Sequence, residues 1–529
     1  MNDVETPSSV EDAFPSQPVS LAESMLENRS ALDVLVNQSN SALQRDLDSL
    51  NGFLDTLVTG VPKVVGELPP DITQVDAANA LLAFNSPYLK FNTETEKWLI
   101  FDDERGWNWD LRNFRMNRLT LEALEKLENY VPKELDTTQS RRFAKSRRTR
   151  ARGLKSVNGL KGIATLASID DSVHCPSSEI DADPEVIGTS DGVLQLRSGQ
   201  KAAHSCERYL TRRVTVKFDP AATSDRWENF LREILGDEDE IQDYFQQLVG
   251  YLLTGETSQQ QMWLLVGNGS NGKSTLLKIL QKMMGQDYAQ QAPESVLLGR
   301  PNTSGASSDL VRLKGIRCAI LPETNHGQSF NEERVKALVA ADTIAARGLF
   351  QDFEEFIPQA KFLLATNHLP VVRGTDKGIW RRLVVIPFTR EFEVVPNSTL
   401  FDELVAELPG IFAWAVRGAV RWYDPAVNFT VPVAWALATS QYRREQDPLK
   451  AYFDERVVTG PGLFVGATEL FENYVEWAKE DGRPVLSQAE FGTRVTDTGL
   501  ATRARKFKTN RHHYIGIALG HRDAADVAA

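Results

Sequence analysis

An α/β architecture is what this sequence predicts, and three observations predict it. Short apolar runs bounded by turn residues alternate with segments whose apolar residues recur at three- and four-residue steps, the signatures of buried strands and of helices with one buried face. The stretch "LVGNGSNGKSTLLKIL", residues 265–280, places three glycines and a lysine between one such run and one such helix. Downstream, apolar runs stop at Glu323 and at Asn367, and another starts just after Arg381 and Arg382, an order that suits one sheet.

With 529 residues the chain has room for several domains, and 42% apolar and 25% charged residues are ordinary for folded protein. Three cysteines, Cys175, Cys206 and Cys318, make no disulfide framework and point to a reducing compartment. We find no secretory signal and no apolar run of about 18 residues, so no membrane span is expected. A net charge of −13 excludes a protein that is basic all over; contact with nucleic acid has to come from local patches. The pairs His174/Cys175 and His204/Cys206 fit no compact zinc spacing.

In chain order, residues 1–75 are rich in Ser, Asn, Asp and Glu, and "PSSVEDAFPSQPVS" reads as disordered, with a weak helical pattern around 20–58. Residues 76–224 read as an α+β accessory region. "NTETEKWLIFDDERGWNWD" is a strand–turn–strand, with Asp102, Asp103 and Glu104 in the turn; "LTLEALEKLENYV" is an amphipathic helix; "EVIGTSDGVLQLRSGQ" is two short strands. Between them "RRFAKSRRTRARGLK", 141–155, holds eight Lys/Arg and no acid, either a phosphate-holding patch or a mobile tether. Residues 225–445 open with a helical stretch to 255, continue through the glycine-rich join and the strand runs "GIRCAIL", "DTIAARGLF", "EEFIPQAKFLLATN" and "RRLVVIPF", and end in aromatic-rich helix. "EQDPLK" is a candidate hinge. Residues 446–520 read as two helices and a basic hairpin, "ATRARKFKTNRHH" carrying five Lys/Arg and no acid; 521–529 is a tail.

The chemistry starts at the join. Gly267, Gly272, Lys273 and Ser274 fit G-x-x-x-x-G-K-[ST], the phosphate loop of P-loop NTPases. Across Gly267, Asn268, Gly269, Ser270, Asn271, Gly272, Lys273, Ser274 and Thr275 the glycines let several backbone N–H groups face one anion, and the helix that follows adds its positive end. Lys273 can reach the outer phosphates and the Ser274 hydroxyl can ligate Mg²⁺, so ATP with Mg²⁺ is the expected ligand. A hydrolytic site also needs an acid, a polar sensor and commonly an arginine from a neighbouring subunit. Glu323, Asn367 and the Arg381/Arg382 pair stand in the right order for those parts.

The series "GNGSNGKST", "LPETN", "VKALVAADTIAARGLF", "KFLLATNHLP" and "GTDKGIWRRLVVIPF" resembles superfamily 3 helicases, nearest the phage and plasmid primase–helicase and poxvirus-type NTPase group. "WLIFDDERGWNWD", "TSDGVLQLRSGQ", "LVGYLLTGETSQQ" and the C-terminal "FGTRVTDTGLATRARKFKTNRHHYIGIAL" resemble that group's flanking regions, so the likeness covers roughly 80–520. It implies an AAA+-like core with a C-terminal winged-helix domain, forming a hexameric ring on single-stranded or forked DNA in the cytoplasm of a phage host. In that frame Glu323 holds Mg²⁺ or activates water, Asn367 is the sensor, and Arg381 or Arg382 is the arginine finger. Lys336 and Arg347 would line the DNA channel, and Arg503, Arg505, Lys506, Lys508 and Arg511 would hold phosphates. Relatives read Gly-Gly-Asp where this chain has Ala340, Ala341 and Asp342, which restricts the backbone there. Full-length relatives carry a primase–polymerase domain ahead of the motor, and residues 1–75 look too short for one; the alternatives to a replicative helicase are a bifunctional primase–helicase and an ATP-dependent DNA-binding initiator without unwinding, and the sequence leaves open whether a separate primase or initiation protein is a partner.

Overall fold

The computed structural model describes residues 72–129, 137–298, 308–323, 327–348, 353–372, 374, 377–392, 399–446, 448–480, 485–505 and 512–520. Two compact units result. One holds the described residues through Ile100 with Trp109–Pro176; the other holds Phe101–Asn108 and the described residues from Ser177 onward.

In the first unit, α1 (Gln74–Asn85) starts at Thr73, whose side chain accepts from the Asp76 N–H while the Asp76 carboxylate accepts from the Thr73 N–H. Strand β1 (Leu89–Asn92) pairs antiparallel with β2 (Lys97–Asp102), Leu89 opposite Ile100 and Asn92 opposite Lys97; β3 (Gly106–Trp109), which follows in the chain, belongs to the second unit but for Trp109. Helices α2 (Phe114–Asn129), α3 (Thr137–Leu154) and α4 (Val157–Ala167) enclose Leu81, Trp98, Leu124 and Ile163. The basic run is thus helix α3, not a tether. Phe143, Arg147 and Ala151, four residues apart, face inward, and Arg147 donates to the Leu127 carbonyl at 2.9 Å.

In the second unit β4 (Val186–Thr189), β5 (Gly192–Gln195) and β6 (Gln200–Ala202) form an antiparallel meander. Helices α5 (Asp225–Leu235) and α6 (Asp239–Leu253) split the expected helical stretch at Gly236, whose φ of 112° a side chain would resist. Then comes a parallel sheet: β7 (Met262–Val266), helix α7 (Lys273–Met284), β8 (Ala289–Gln291), β9 (Cys318–Leu321), helix α8 (Glu332–Val339), the hairpin β10 (Ile344–Arg347) and β11 (Phe353–Phe356), β12 (Lys361–Thr366), the turn of helix α9 (Lys377–Trp380), and β13 (Leu383–Pro387). The expected strand "EEFIPQAKFLLATN" is in fact two, interrupted at Ile357–Ala360 around Pro358, which has no N–H for a ladder.

The sheet order is β13-β7-β12-β9-β8, every pairing parallel. Both faces are buried. Trp263, Leu265, Ile320, Leu363 and Ile386 pack with α5, α6, α7 and α10 (Leu408–Tyr423). Met262, Leu264, Leu321, Leu364 and Val385 pack with α8, α9 and α11 (Val433–Glu445). That is why these strands read as unbroken apolar runs and not as alternation. Helices α6 and α10 touch backbone to backbone: a Cβ on Gly250 would lie 2.0 Å from the Ala419 nitrogen.

The C-terminal part comprises α12 (Pro448–Arg456), β14 (Val457–Gly466), α13 (Ala467–Glu480), α14 (Gln488–Asp497), β15 (Thr502–Arg505) and β16 (His512–Leu519), in sheet order β14-β16-β15 around Tyr452, Leu470, Tyr474 and Ile517. Strand β14 was not expected. Its register shifts between Thr459 and Phe464, across Gly460-Pro461-Gly462, which reads as a turn in sequence.

Candidate functional site

The parallel register brings the carboxyl ends of β7, β12 and β9 to one rim, with Val266 opposite Thr366 and Leu321 opposite Leu364. Open parallel sheets hold ligands on this rim. A cavity of about 410 Å³ opens there, lined by Gly269–Thr275 from the glycine loop, by Pro322 and Glu323 past β9, and by Thr366 at the end of β12 with Asn367 just beyond.

The loop's conformation depends on its glycines. Gly269 and Gly272 have φ of 102° and 85°, and Ser270 between them has 45°. A Cβ on Gly272 would meet Ile234 at 2.6 Å, and one on Gly267 would meet the Phe388 carbonyl oxygen at 2.5 Å. Gly272 caps α7, so the positive helix end faces the cavity.

Lys273 is 6% exposed. Its ammonium donates to the Gly267 carbonyl at 2.6 Å, to Asn271 Oδ1 at 3.0 Å and to Asn367 Oδ1 at 3.3 Å. Burial pulls its pKa below the ordinary lysine value, and the negative charge of Glu323 opposes that pull. Asn271 Nδ2 is buried and finds no hydrogen-bond partner among the described residues. Ser274 and Glu323 are exposed to the same cavity. The rim thus collects backbone donors, a desolvated cation, an orphaned amide, a hydroxyl and a carboxylate, a donor set that fits a phosphate chain with a divalent cation. Sequence reasoning missed Gln281 and Gln291 in the cavity wall, since a glutamine on a helix or a short edge strand carries no local signal.

Arg381 and Arg382 lie elsewhere. They precede β13, at the amino rim of the sheet, where the Met262 N–H donates to the Arg382 carbonyl at 2.8 Å. A strand length of about 16 Å separates the two rims. Arg382 is 7% exposed and donates to the Gly378 carbonyl at 2.7 Å, whereas Arg381 is exposed. Lys336, part-buried on α8, and Arg347, exposed on β10, are not in the cavity wall either. The β10–β11 hairpin carries Glu354 and Glu355 opposite Ala346 and Ala345, so Arg347 is its one described cation. Arg503 is exposed on β15 opposite Tyr514, and Arg505 pairs through its backbone with His512. Lys506, Lys508 and Arg511 fall outside the described residues.

The Ala340-Ala341-Asp342 departure has a structural outcome. The Asp342 N–H donates to the Ala337 carbonyl and the Ala341 N–H to the Leu338 carbonyl, the paired bonds of a Schellman cap on α8. Ala341 takes the left-handed position of that cap, with φ of 57°.

Fold and rim together define a mixed α/β protein with a crevice at the carboxyl rim of a parallel sheet. The D5 N-terminal-like family matches residues 78–236, and a family of unknown function matches 265–382, the span from the glycine loop to Arg382. A helicase-named protein of Acanthamoeba polyphaga mimivirus is 31% identical over 57% of this chain and 34% of its own length. A primase-named protein of African swine fever virus is 24% identical over 56% of this chain and 34% of its own. The chain therefore spans about a third of the curated relatives it matches. An apo structure of the NrS-1 C-terminal region aligns with 84% of this chain and 100% of its own, at 12% identity and a TM-score of 0.46. Residues 78–236 thus carry a D5 N-terminal-like domain, and the chain is similar to viral proteins named as helicases and primases. Among the described residues no helix is long and apolar enough to cross a membrane.

Proposed function

We propose that this chain is a ring-forming, ATP-driven motor that moves along DNA and separates its strands, built on a P-loop core of the superfamily 3 helicase type. The observation that carries the reading is the convergence of Lys273, Ser274, Glu323 and Asn367 from the ends of three neighbouring parallel strands on one cavity. Anion binding alone asks for the loop and the lysine; a carboxylate and an amide facing them are what hydrolysis adds.

In this reading the loop N–H groups and Lys273 hold the β- and γ-phosphates, and the buried ammonium gains a partner of opposite charge. Ser274 and Glu323 hold Mg²⁺, which when bound neutralises phosphate charge. Glu323 also orients the attacking water, and Asn367 moves its amide from Lys273 to the γ-phosphate. Arg381 serves a neighbouring subunit, because it is exposed on the rim away from its own cavity. Subunits assemble as a hexamer around DNA, with Lys336 and Arg347 toward the strand. Helices α13 and α14 with the β15–β16 hairpin act as a winged helix whose Arg503, Arg505, Lys506, Lys508 and Arg511 hold phosphates.

The test is displacement of a labelled strand from a forked duplex by wild type and Lys273→Ala. We expect ATP-dependent displacement by wild type, and hydrolysis lowered by at least about a thousandfold in the variant. Undiminished hydrolysis by Lys273→Ala would remove the site assignment; hydrolysis without displacement would replace the motor by an ATP-dependent DNA-loading protein.

A further inference from the structure

The strongest concentration of positive charge among the described residues is in the first unit, far in sequence from the motor motifs. Helix α3 carries no acid from Thr137 to Leu154. Phe143, Arg147 and Ala151 turn one face to the core. Arg141, Lys145, Arg148 and Arg152 are exposed and follow one another at steps of four, three and four residues. That spacing places them on one stripe of the helix. All four line a groove of about 530 Å³ along α3, together with Ser140 and Thr149. Among the described residues of the unit, Arg118 pairs with Glu122 and Lys155 with Glu125 and Glu128. Among the described residues none of the four enters such a pair.

We propose that this stripe is a nucleic-acid site that grips the phosphate backbone without reading sequence; the proposal rests on the DNA-motor reading above. Four cations along about 16 Å of helix form a line, as backbone phosphates do. Three of the four are arginines, whose planar forks match phosphate oxygens in pairs. A protein partner would be met by exposed aromatic or aliphatic anchors, and this stripe offers none. The chain's overall charge of −13 repels DNA at long range, so a backbone site must concentrate its charge locally, as α3 does.

The experiment is equilibrium binding of a fluorescent oligo-dT strand to the full chain across a salt series. It compares wild type, a variant with Arg141, Lys145, Arg148 and Arg152 all changed to Gln, and an Arg141→Lys/Arg148→Lys/Arg152→Lys variant. Glutamine keeps helix propensity, and an unchanged melting curve checks the fold. Four lost contacts reduce the slope of log affinity against log salt by about 3 and weaken binding at 0.1 M salt by roughly two to three orders of magnitude. The lysine variant keeps the slope, and DNA-independent ATP hydrolysis stays at wild-type rate in both. Wild-type affinity and slope in the glutamine variant would overturn the α3 site and leave the motor reading intact. No DNA binding by wild type, with ATP hydrolysis present, would overturn both.

Discussion

At the carboxyl rim of the parallel sheet, Lys273 is buried yet borders an open cavity, and two of its three acceptors are side-chain amides that can swing away. At the amino rim, buried cations meet backbone instead. Arg317, 1% exposed, donates to the carbonyls of Leu253 at 2.6 Å, Val186 at 2.7 Å and Asp183 at 3.3 Å and lies over the Tyr288 ring. Lys361, 2% exposed, donates to the Thr254 and Gln359 carbonyls, and burial with Arg317 nearby holds its pKa well below the ordinary value. Leu253 and Thr254 end α6, so both cations also meet the negative pole of that helix. A buried cation clasped by fixed carbonyls is a staple. One clasped by movable amides beside a void can exchange those partners for an anion. Burial and charge alone do not separate the two cases; the acceptors do.

The comparison can be broken at three places. The largest effect concerns the arginine pair at the amino rim. Arg381→Ala should lower the rate of ATP hydrolysis by the assembled protein about a thousandfold, the scale of a lost arginine finger, with an unchanged denaturation midpoint. Arg382→Ala should instead lose about 1–3 kcal/mol of stability, because it removes a buried side chain together with its hydrogen bond to the Gly378 carbonyl. The reverse pattern in the two assays would exchange their roles. Next is Arg317→Met, which orphans three carbonyls. Denaturant unfolding should show a loss of about 3 kcal/mol, while hydrolysis per folded molecule stays near wild type. A drop in turnover at unchanged stability would mean that this rim takes part in the chemistry. The smallest effect is Ala341→Gly. It relieves a left-handed alanine in the α8 cap and should stabilise by about 1 kcal/mol, read as a rise in melting temperature. A fall would show that the cap tolerates alanine without strain.

Much of this was legible in sequence. The strand runs were, because both sheet faces are buried and the runs are unbroken. The glycine loop was, because its conformation needs particular residues at fixed offsets. Glu323 and Asn367 were found because each ends an apolar run. The different surroundings of Arg381 and Arg382 were not, since adjacent arginines in sequence give no sign that one is exposed while the other is buried and reaches the Gly378 carbonyl. Arg317 and Lys361 went unnoticed because a charge beside an apolar run ordinarily lies in water; only distant carbonyls, from Val186 to Thr254, keep these two dry. The inward face of α3 was hidden too, because an arginine in a basic run gives no local sign that its guanidinium reaches back to Leu127.

The strand order has a consequence for how the protein is made. Strand β7 is the first strand of the parallel sheet to leave the ribosome, yet its two neighbours, β12 and β13, come later in the chain. Met262 waits for Leu383, about 120 residues away, which at ordinary synthesis rates means roughly 6–24 seconds with at least one edge of an apolar strand uncovered, and both edges until β12 emerges. During that interval the nascent chain presents "MWLLV" without its partners. Nascent chains halted before Leu383 should therefore cling to holding chaperones, and those halted well past Pro387 should not.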